Sequence, residues 1–544
     1  MDVISMILML LVAVILSRVV ISILPLPLPL VQIALGALLA GLTDLGISLD
    51  PDVFFLLFLP PLLFLDGWRI PKEGLLRDRR TIAALAFGLV VFTVLGVGLF
   101  IHWMIPAMPL AVAFALAAIL SPTDPVAVSA IAPNVPMPKR LQHILDGEAL
   151  LNDASGLVCM RFAVAAAMTG AFSLGDATMT FVWLVLGGVA SGAGVATAVN
   201  SVKSALARRY GEETGPEILI SLMIPFAAYI LAEKIEASGI LAAVAAGIVM
   251  SFHEQSGQAQ VSTRMRRAVV WDTVLFTLNG VIFVLLGEQL PKIIDSAVKA
   301  VTEAGHHEPL WLLVYVLAIN VALVVLRYLW VWVSFWLTLY REGGKKAQIP
   351  SWRLVGVTAL AGVRGTVTLA GILTLPLLLP DGSAFPARDL AVFLAAGVII
   401  GSLVLASIGM PVLMKGLTLP PEPLHEREED AARRAGAEAA IRAVEAMQQK
   451  LGEAGGNAEI YTSAVARVME IYRDRLARLS HYETSGDEKS KQFQQIERQL
   501  WLAGIAAERA EIVKRMRGRA LPEEVGARLI REIDLVEARL NGSW

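Results

Sequence analysis

Ionisable side chains lie inside the most apolar stretches of this sequence, where an unpaired charge costs a few kcal/mol or more. They are Asp66, Asp124, Glu148, Asp153, Arg327 and Arg364. Each therefore needs a partner of opposite charge or a water-filled cavity. The carboxylates could bind protons or hard cations, because hard cations prefer oxygen ligands. Asp153 lies about 15 Å into its apolar stretch, at 1.5 Å per helical residue, which is close to the middle of a bilayer.

Two of the apolar stretches contain sequences that break helices. Residues 121–125 read SPTDP, and each proline removes a backbone donor and clashes with the preceding turn. Residues 362–366 read GVRGT, which places two glycines beside an arginine. Backbone freed in this way must line a cavity or be buried in protein, because lipid cannot satisfy it. Broken helices at corresponding positions of two halves are typical of a transporter binding site.

These side chains must be positioned by membrane-spanning helices. The chain has 544 residues, of which 56% are hydrophobic and 17% charged, with a mean hydropathy of +0.65. This composition argues against an ordinary soluble enzyme, because soluble chains carry about a quarter charged residues. Thirteen stretches are apolar enough to span a bilayer: 3–24, 27–43, 53–69, 81–104, 109–132, 143–170, 178–206, 214–233, 237–252, 271–290, 309–340, 354–379 and 387–414. The broken stretches are seven apart, as expected for two inverted six-helix repeats joined by a linking helix.

The distribution of charge predicts the orientation and a second domain. Loops after odd-numbered stretches hold 17 Lys and Arg residues and those after even-numbered stretches hold 4. Because positive residues favour the cytoplasmic side, this predicts an outside N-terminus and a cytoplasmic C-terminus. Residues 417–544 hold 42 of the charged residues, which predicts a transmembrane domain over 1–416 and a cytoplasmic helical tail over 417–544. The fold class is therefore an all-α polytopic membrane protein.

Three motifs resemble those of one transporter family. They are similar to motifs of the monovalent cation:proton antiporters of the sodium/proton exchanger type. The three motifs are SPTDPVAV at 121–128, GEALLND at 147–153 and AGVRG at 361–365. The bacterial NhaP-like branch fits best, and the resemblance covers the whole membrane domain.

The resemblance implies roles for five residues of an ion site. Asp153 would bind either a proton or the cation, and Asn152 would be its polar neighbour. Thr123 would offer its backbone carbonyl, and Asp66 would line the site from the third span. Asp124 would hold a coordinating water or the unwound helix. The cation would thus be held by Asp153, Thr123 and Asp66.

The resemblance also implies structural charges and one departure. Glu148 would pair with Arg327 as a bridge between the sixth and eleventh spans, and Arg364 would neutralise the carbonyl ends of the twelfth-span break. Many relatives have Ser where this chain has Ala149. The loss of that hydroxyl ligand makes potassium more credible as the transported ion.

The expected function is secondary active exchange of sodium for protons by alternating access, not catalysis. One carboxylate in the Asn152-Asp153 pair favours electroneutral exchange. A potassium/proton antiporter, a channel and a non-transporting membrane sensor stay open as alternatives. We expect no cofactor beyond the transported Na⁺ and H⁺, with K⁺ or Li⁺ as alternative ions. The net charge of −2 gives no argument for a nucleic-acid partner. The resemblance further implies a homodimer in the cell (inner) membrane that serves pH homeostasis.

Overall fold

The computed structural model describes most of the chain. The described residues are 3–24, 26–42, 51–70, 78–124, 127–128, 139–169, 174–211, 213–255, 261–303, 310–341, 351–415, 423–453, 463–473, 476, 488–517, 521 and 523–541. Pro125 and the predicted end of the fifth stretch lie outside them. The chain divides into two compact units, Met1–Leu417 and Thr418–Trp544.

Helices make up the first unit, since a helix satisfies its own backbone hydrogen bonds in an apolar environment. They are α1 Val3–Ile23, α2 Leu28–Leu42, α3 Pro51–Arg69, α4 Arg79–Ala83, a π-helical segment Ala84–Leu89, α5 Val90–Met104, α6 Leu110–Leu120, α7 Lys139–Thr169, α8 Leu174–Tyr210, α9 Thr214–Lys234, α10 Gly239–Gln255, α11 Val261–Glu303, α12 Leu310–Arg341, α13 Trp352–Leu360, α14 Thr366–Leu373 and α15 Arg388–Met414. Each of the thirteen predicted stretches coincides with one or more of these helices. Among the described residues, eight helical spans are long and apolar enough to cross a membrane, and three further apolar helices are shorter. The prediction of an all-α polytopic fold is confirmed.

The helices of the first unit pack as two bundles. A scaffold bundle is formed by α1–α3 and α8–α11, and a core bundle by α4–α7 and α12–α15. The two bundles meet mainly where α11 contacts α15 and where α3 contacts α7 and α14.

Glycines bring the scaffold helices into backbone contact. Gly36 and Gly287 face each other's helices across the α2–α11 contact, and Gly67 and Gly247 do so across the α3–α10 contact. A Cβ atom at any of the four would collide with a backbone carbonyl oxygen of the facing helix. Small residues permit such close packing of membrane helices. The scaffold helices are therefore closely packed at these two contacts.

The second unit is helical as well. It contains α16 Pro423–Glu453, helical residues 463–473, α17 Glu488–Arg517 and α18 Glu523–Asn541. The last two helices pack together, burying Ile505 and Ile533. Arg509 on α17 donates to Asp534 at 2.7 Å and also to Glu537, both on α18.

Candidate ion-binding site

The two breaks predicted from sequence meet in the core bundle. The helix of α6 ends at Leu120, and residues 121–124 that follow are not helical. The other break separates α13 from α14 over residues 361–365. The backbone N–H of Asp124 donates to the carbonyl of Val363 at 2.8 Å, so the two broken segments touch.

Charged side chains from each break cap the helix ends of the other. The Asp124 carboxylate accepts hydrogen bonds from the backbone N–H of Ala127 at 3.1 Å and of Thr366 at 3.4 Å. The Arg364 guanidinium, which is buried, donates from Nε to the Leu120 carbonyl at 2.8 Å and from Nη1 to the Gly362 carbonyl. Helix N-termini favour negative charge and C-termini favour positive charge. Each charge therefore stabilises the opposite partial charge of a helix end, and the two breaks are joined into one structure.

Asp153 lies beside this crossing on α7 and is 7% exposed. Its neighbour Asn152 donates from Nδ2 to the Thr123 hydroxyl at 3.0 Å, which ties α7 to the first break. The Asn152 Oδ1 atom is buried, and no described residue donates a hydrogen bond to it. Asp153 forms no ion pair with any described residue. The site therefore offers a buried carboxylate and an unused amide oxygen side by side.

A small cavity of about 20 Å³ opens at this point between the two bundles. Its lining residues are Leu62, Leu63, Asp66, Leu275 and Asn279 from the scaffold bundle, and Pro122, Thr123, Asp124, Asp153 and Gly365–Thr368 from the core bundle. The structure thus brings Asp66, Thr123, Asp124 and Asp153 to one cavity, as well as the backbone of the second break. No three His, Cys, Asp or Glu side chains of the described residues converge to hold a metal ion. A cation bound here would therefore need carbonyl, hydroxyl or water oxygens in addition to carboxylates.

Glu148 and Arg327 form a buried ion pair away from the cavity wall. Arg327 Nη2 donates to Glu148 Oε2 at 2.8 Å, and Nη1 donates to Oε1. Arg327 Nε also donates to the Thr358 carbonyl at 3.1 Å. The pair therefore joins α7, α12 and α13 within the core bundle.

The structure shows site features that the sequence reasoning missed. The Ser155 hydroxyl donates to the Ala86 carbonyl at 2.7 Å, in the π-helical segment Ala84–Leu89, and so holds that segment against α7 next to Asp153. Single π-helical turns occur often at functional sites. Asn279 also lines the cavity. Its signal in the sequence is an amide near the middle of the apolar tenth stretch, with hydrophobic residues on both sides.

This arrangement is typical of a secondary transporter. Two crossed broken helices lie beside a carboxylate that forms no ion pair with a described residue, between two bundles. The comparisons identify the family. Residues 7–416 match the family described as sodium/hydrogen exchanger, transmembrane, and the chain belongs to it. The resemblance found from the motifs is thereby confirmed.

Two relatives and one solved structure illustrate the similarity. The chain is 41% identical over 535 residues, 96% of each chain, to the uncharacterized Na⁺/H⁺ exchanger YjcE of Escherichia coli K12. It is 37% identical over 535 residues, 96% of this chain and 76% of the relative, to a sodium, potassium, lithium and rubidium/H⁺ antiporter of Bacillus subtilis. The sodium proton antiporter MjNhaP1 of Methanocaldococcus jannaschii has a similar structure, with a TM-score of 0.57 and 16% identity, covering 76% of this chain and 98% of that one. This last likeness shows the shared fold.

Proposed function

We propose that the protein exchanges sodium ions for protons across the cell membrane, and that both ions compete for the Asp153 carboxylate. One observation carries the proposal: Asp153 is buried beside the crossed breaks, lines the cavity and forms no ion pair with a described residue. The other buried charges of the core have contacts that satisfy them. A buried carboxylate without a partner favours a bound proton or a bound cation over the bare charge.

The other site residues support Asp153 in this proposal. Thr123 offers its backbone carbonyl, held in place by the hydrogen bond between its hydroxyl and Asn152. Asp66 faces the ion from the scaffold bundle, and Asp124 keeps the two breaks joined. Because the cavity lies between two bundles, rigid-body movement of the core against the scaffold would expose it to each side in turn.

Potassium is the second candidate substrate. The Bacillus subtilis relative is named for sodium, potassium, lithium and rubidium, and the buried Ala149 offers no hydroxyl in this chain. Sodium stays the main proposal because the family and the relatives reported above share it.

Four finer points belong to the same proposal. A single competing carboxylate supports electroneutral exchange of one cation for one proton. The excess of positive residues in odd-numbered loops supports an outside N-terminus and a cytoplasmic tail in the inner membrane. A homodimer and a role in pH homeostasis are proposed on the family relationship alone. No cofactor is required for the exchange, since the gradients drive it.

The test uses everted membrane vesicles from cells that lack their own antiporters. A preset pH gradient is challenged with sodium, potassium or lithium for the wild type, Asp153→Asn and Asp389→Asn. Asp389 is a matched control because it is an exposed aspartate at the start of α15. Expression of each variant is measured in the same membranes.

We expect sodium to collapse the gradient for the wild type and for Asp389→Asn, but not for Asp153→Asn. Collapse by potassium alone would keep the mechanism and change the substrate. An undiminished response in Asp153→Asn would refute the role of this carboxylate. A wild type that is expressed but responds to no cation at any pH would favour the non-transporting sensor.

A further inference from the structure

Asn279 places an uncharged amide in the scaffold wall of the cavity. The scaffold side of the cavity is otherwise formed by three leucines and Asp66. No hydrogen bond joins the Asn279 amide to any described residue. An amide in apolar surroundings is destabilising unless it is hydrogen-bonded. A cation or a water molecule in the cavity is therefore placed to satisfy it.

The scaffold packing fixes where this amide points. At Gly280, the next residue, a Cβ atom would lie 2.6 Å from a methyl group of Val14 and 3.1 Å from the Gln32 amide nitrogen. One side of α11 is thus pressed against α1 and α2, and the Gly287 contact with α2 holds it again two turns later. The side of α11 that carries Gly280 and Gly287 therefore lies against α1 and α2. Asn279 is consequently held toward the core bundle, opposite the breaks.

We propose that Asn279 is a residue that determines cation specificity, and that its amide oxygen binds the transported cation from the scaffold side. This inference rests on the proposed function and adds a ligand to it. The amide oxygen supplies a neutral ligand in a cavity that the carboxylates of Asp66 and Asp153 also line. Cation selectivity depends on the number and field strength of the coordinating oxygens. A neutral amide oxygen has a weaker field than a carboxylate, which favours larger and more easily dehydrated cations.

The test compares three variants on α11. Asn279→Leu removes the amide at similar volume, and Asn279→Asp keeps the size but adds a strong-field oxygen. Thr277→Val is the matched control, because Thr277 is a polar residue on the same helix that donates to the Thr273 carbonyl at 2.8 Å and does not line the cavity. Apparent KM and maximal rate are measured in everted vesicles for sodium and potassium. The melting temperature of the purified protein is measured in sodium, potassium and choline chloride.

For Asn279→Leu we expect the KM for the preferred cation to rise about tenfold, with a maximal rate within about twofold of wild type. The cation loses one charge-assisted interaction, and water replaces part of it. For Asn279→Asp we expect the preference to shift toward sodium over potassium by a similar factor. The stabilisation of the purified protein by each cation should shift in the same order. Thr277→Val should match the wild type throughout.

Two results would overturn the inference. One is that both Asn279 variants keep the wild-type KM values and cation preference. The other is that they lose maximal rate with unchanged KM and unchanged cation stabilisation, which would make Asn279 a packing residue. The melting temperatures test the binding even where transport fails. Absence of exchange in the wild type would instead refute the proposed function.

Discussion

The buried pair of Glu148 and Arg327 gives a prediction about stability that can be worked out from the structure. Both side chains are almost fully enclosed, with 0% and 2% exposure. The guanidinium uses two nitrogens on the carboxylate and a third on the Thr358 carbonyl. Removing one partner of a buried pair leaves the other charge without compensation and costs about 3–5 kcal/mol. Glu148→Gln should therefore lose a large part of a stability that totals about 5–15 kcal/mol in typical domains.

A double-mutant cycle separates this cost from simple loss of packing. Replacing both residues, as in Glu148→Gln with Arg327→Met, removes both charges at similar volume. The double variant leaves a neutral amide to be satisfied, which costs less than an uncompensated buried charge, so it should recover part of the stability. The control is Arg161→Gln, which breaks a half-exposed pair with Glu233 at 3.3 Å. Exposed pairs contribute about 0–1 kcal/mol.

The assay is thermal unfolding of the detergent-solubilised protein, followed by tryptophan fluorescence and checked by size-exclusion chromatography. We expect Glu148→Gln to melt well below Arg161→Gln, and the double variant to melt closer to wild type. If Glu148→Gln cost no more than Arg161→Gln, or if the two changes at Glu148 and Arg327 were additive, the argument from charge burial would be refuted.

Three further predictions follow from described contacts. Gly247→Ala should lower the melting temperature, since a Cβ atom there meets a backbone carbonyl of α3, whereas Gly194→Ala, with open space around it, should not. Arg364→Lys should lose exchange in the vesicle assay, because an ammonium group cannot reproduce the guanidinium fork that reaches carbonyls of both breaks. Full exchange activity in this variant would contradict that role of Arg364. Hydrogen bonds from the Ser383 hydroxyl and amide hold the pKa of Asp381 below its usual range. The stability that these hydrogen bonds add is present above the usual pKa of an aspartate and is lost as the pH falls through the lowered pKa of Asp381. Backbone hydrogen exchange in this turn should therefore be faster in Asp381→Asn than in the wild type at pH 7. In strong acid the two exchange rates should be equal.

Much of the fold could be predicted because the membrane simplifies the problem. An apolar stretch of sufficient length has few alternatives to a helix in lipid, and the predicted stretches coincide with helices for that reason. The breaks were also visible, since SPTDP and GVRGT disrupt a helix locally. These features depend on neighbours in sequence, which a single sequence records directly.

The contacts between distant segments could not be predicted in the same way. Arg364 was expected to neutralise carbonyls of its own break, but the structure shows that it also reaches the Leu120 carbonyl, 244 positions away in sequence. The contact of Ser155 with the π-helical segment depends on how α7 packs, which no local pattern specifies. The position of Asn279 in the cavity wall likewise depends on the packing of α11 against α1 and α2.

The pairing of charges in the core bundle has a consequence for the response to membrane voltage. Glu148 is balanced by Arg327, and the opposite charges of Asp124 and Arg364 both belong to the crossing. Among these buried core charges, Asp153 alone is left unbalanced. A potential of 100 mV acts on one elementary charge with about 2.3 kcal/mol. In the proposed cycle, these five side chains carry no net charge when Asp153 holds a proton or a monovalent cation, so the electric field acts on them mainly in the empty form. The exchange should therefore proceed at nearly the same rate in polarised and depolarised cells. The membrane potential acts fully on the empty carrier, whose reorientation would let an ion cross without exchange.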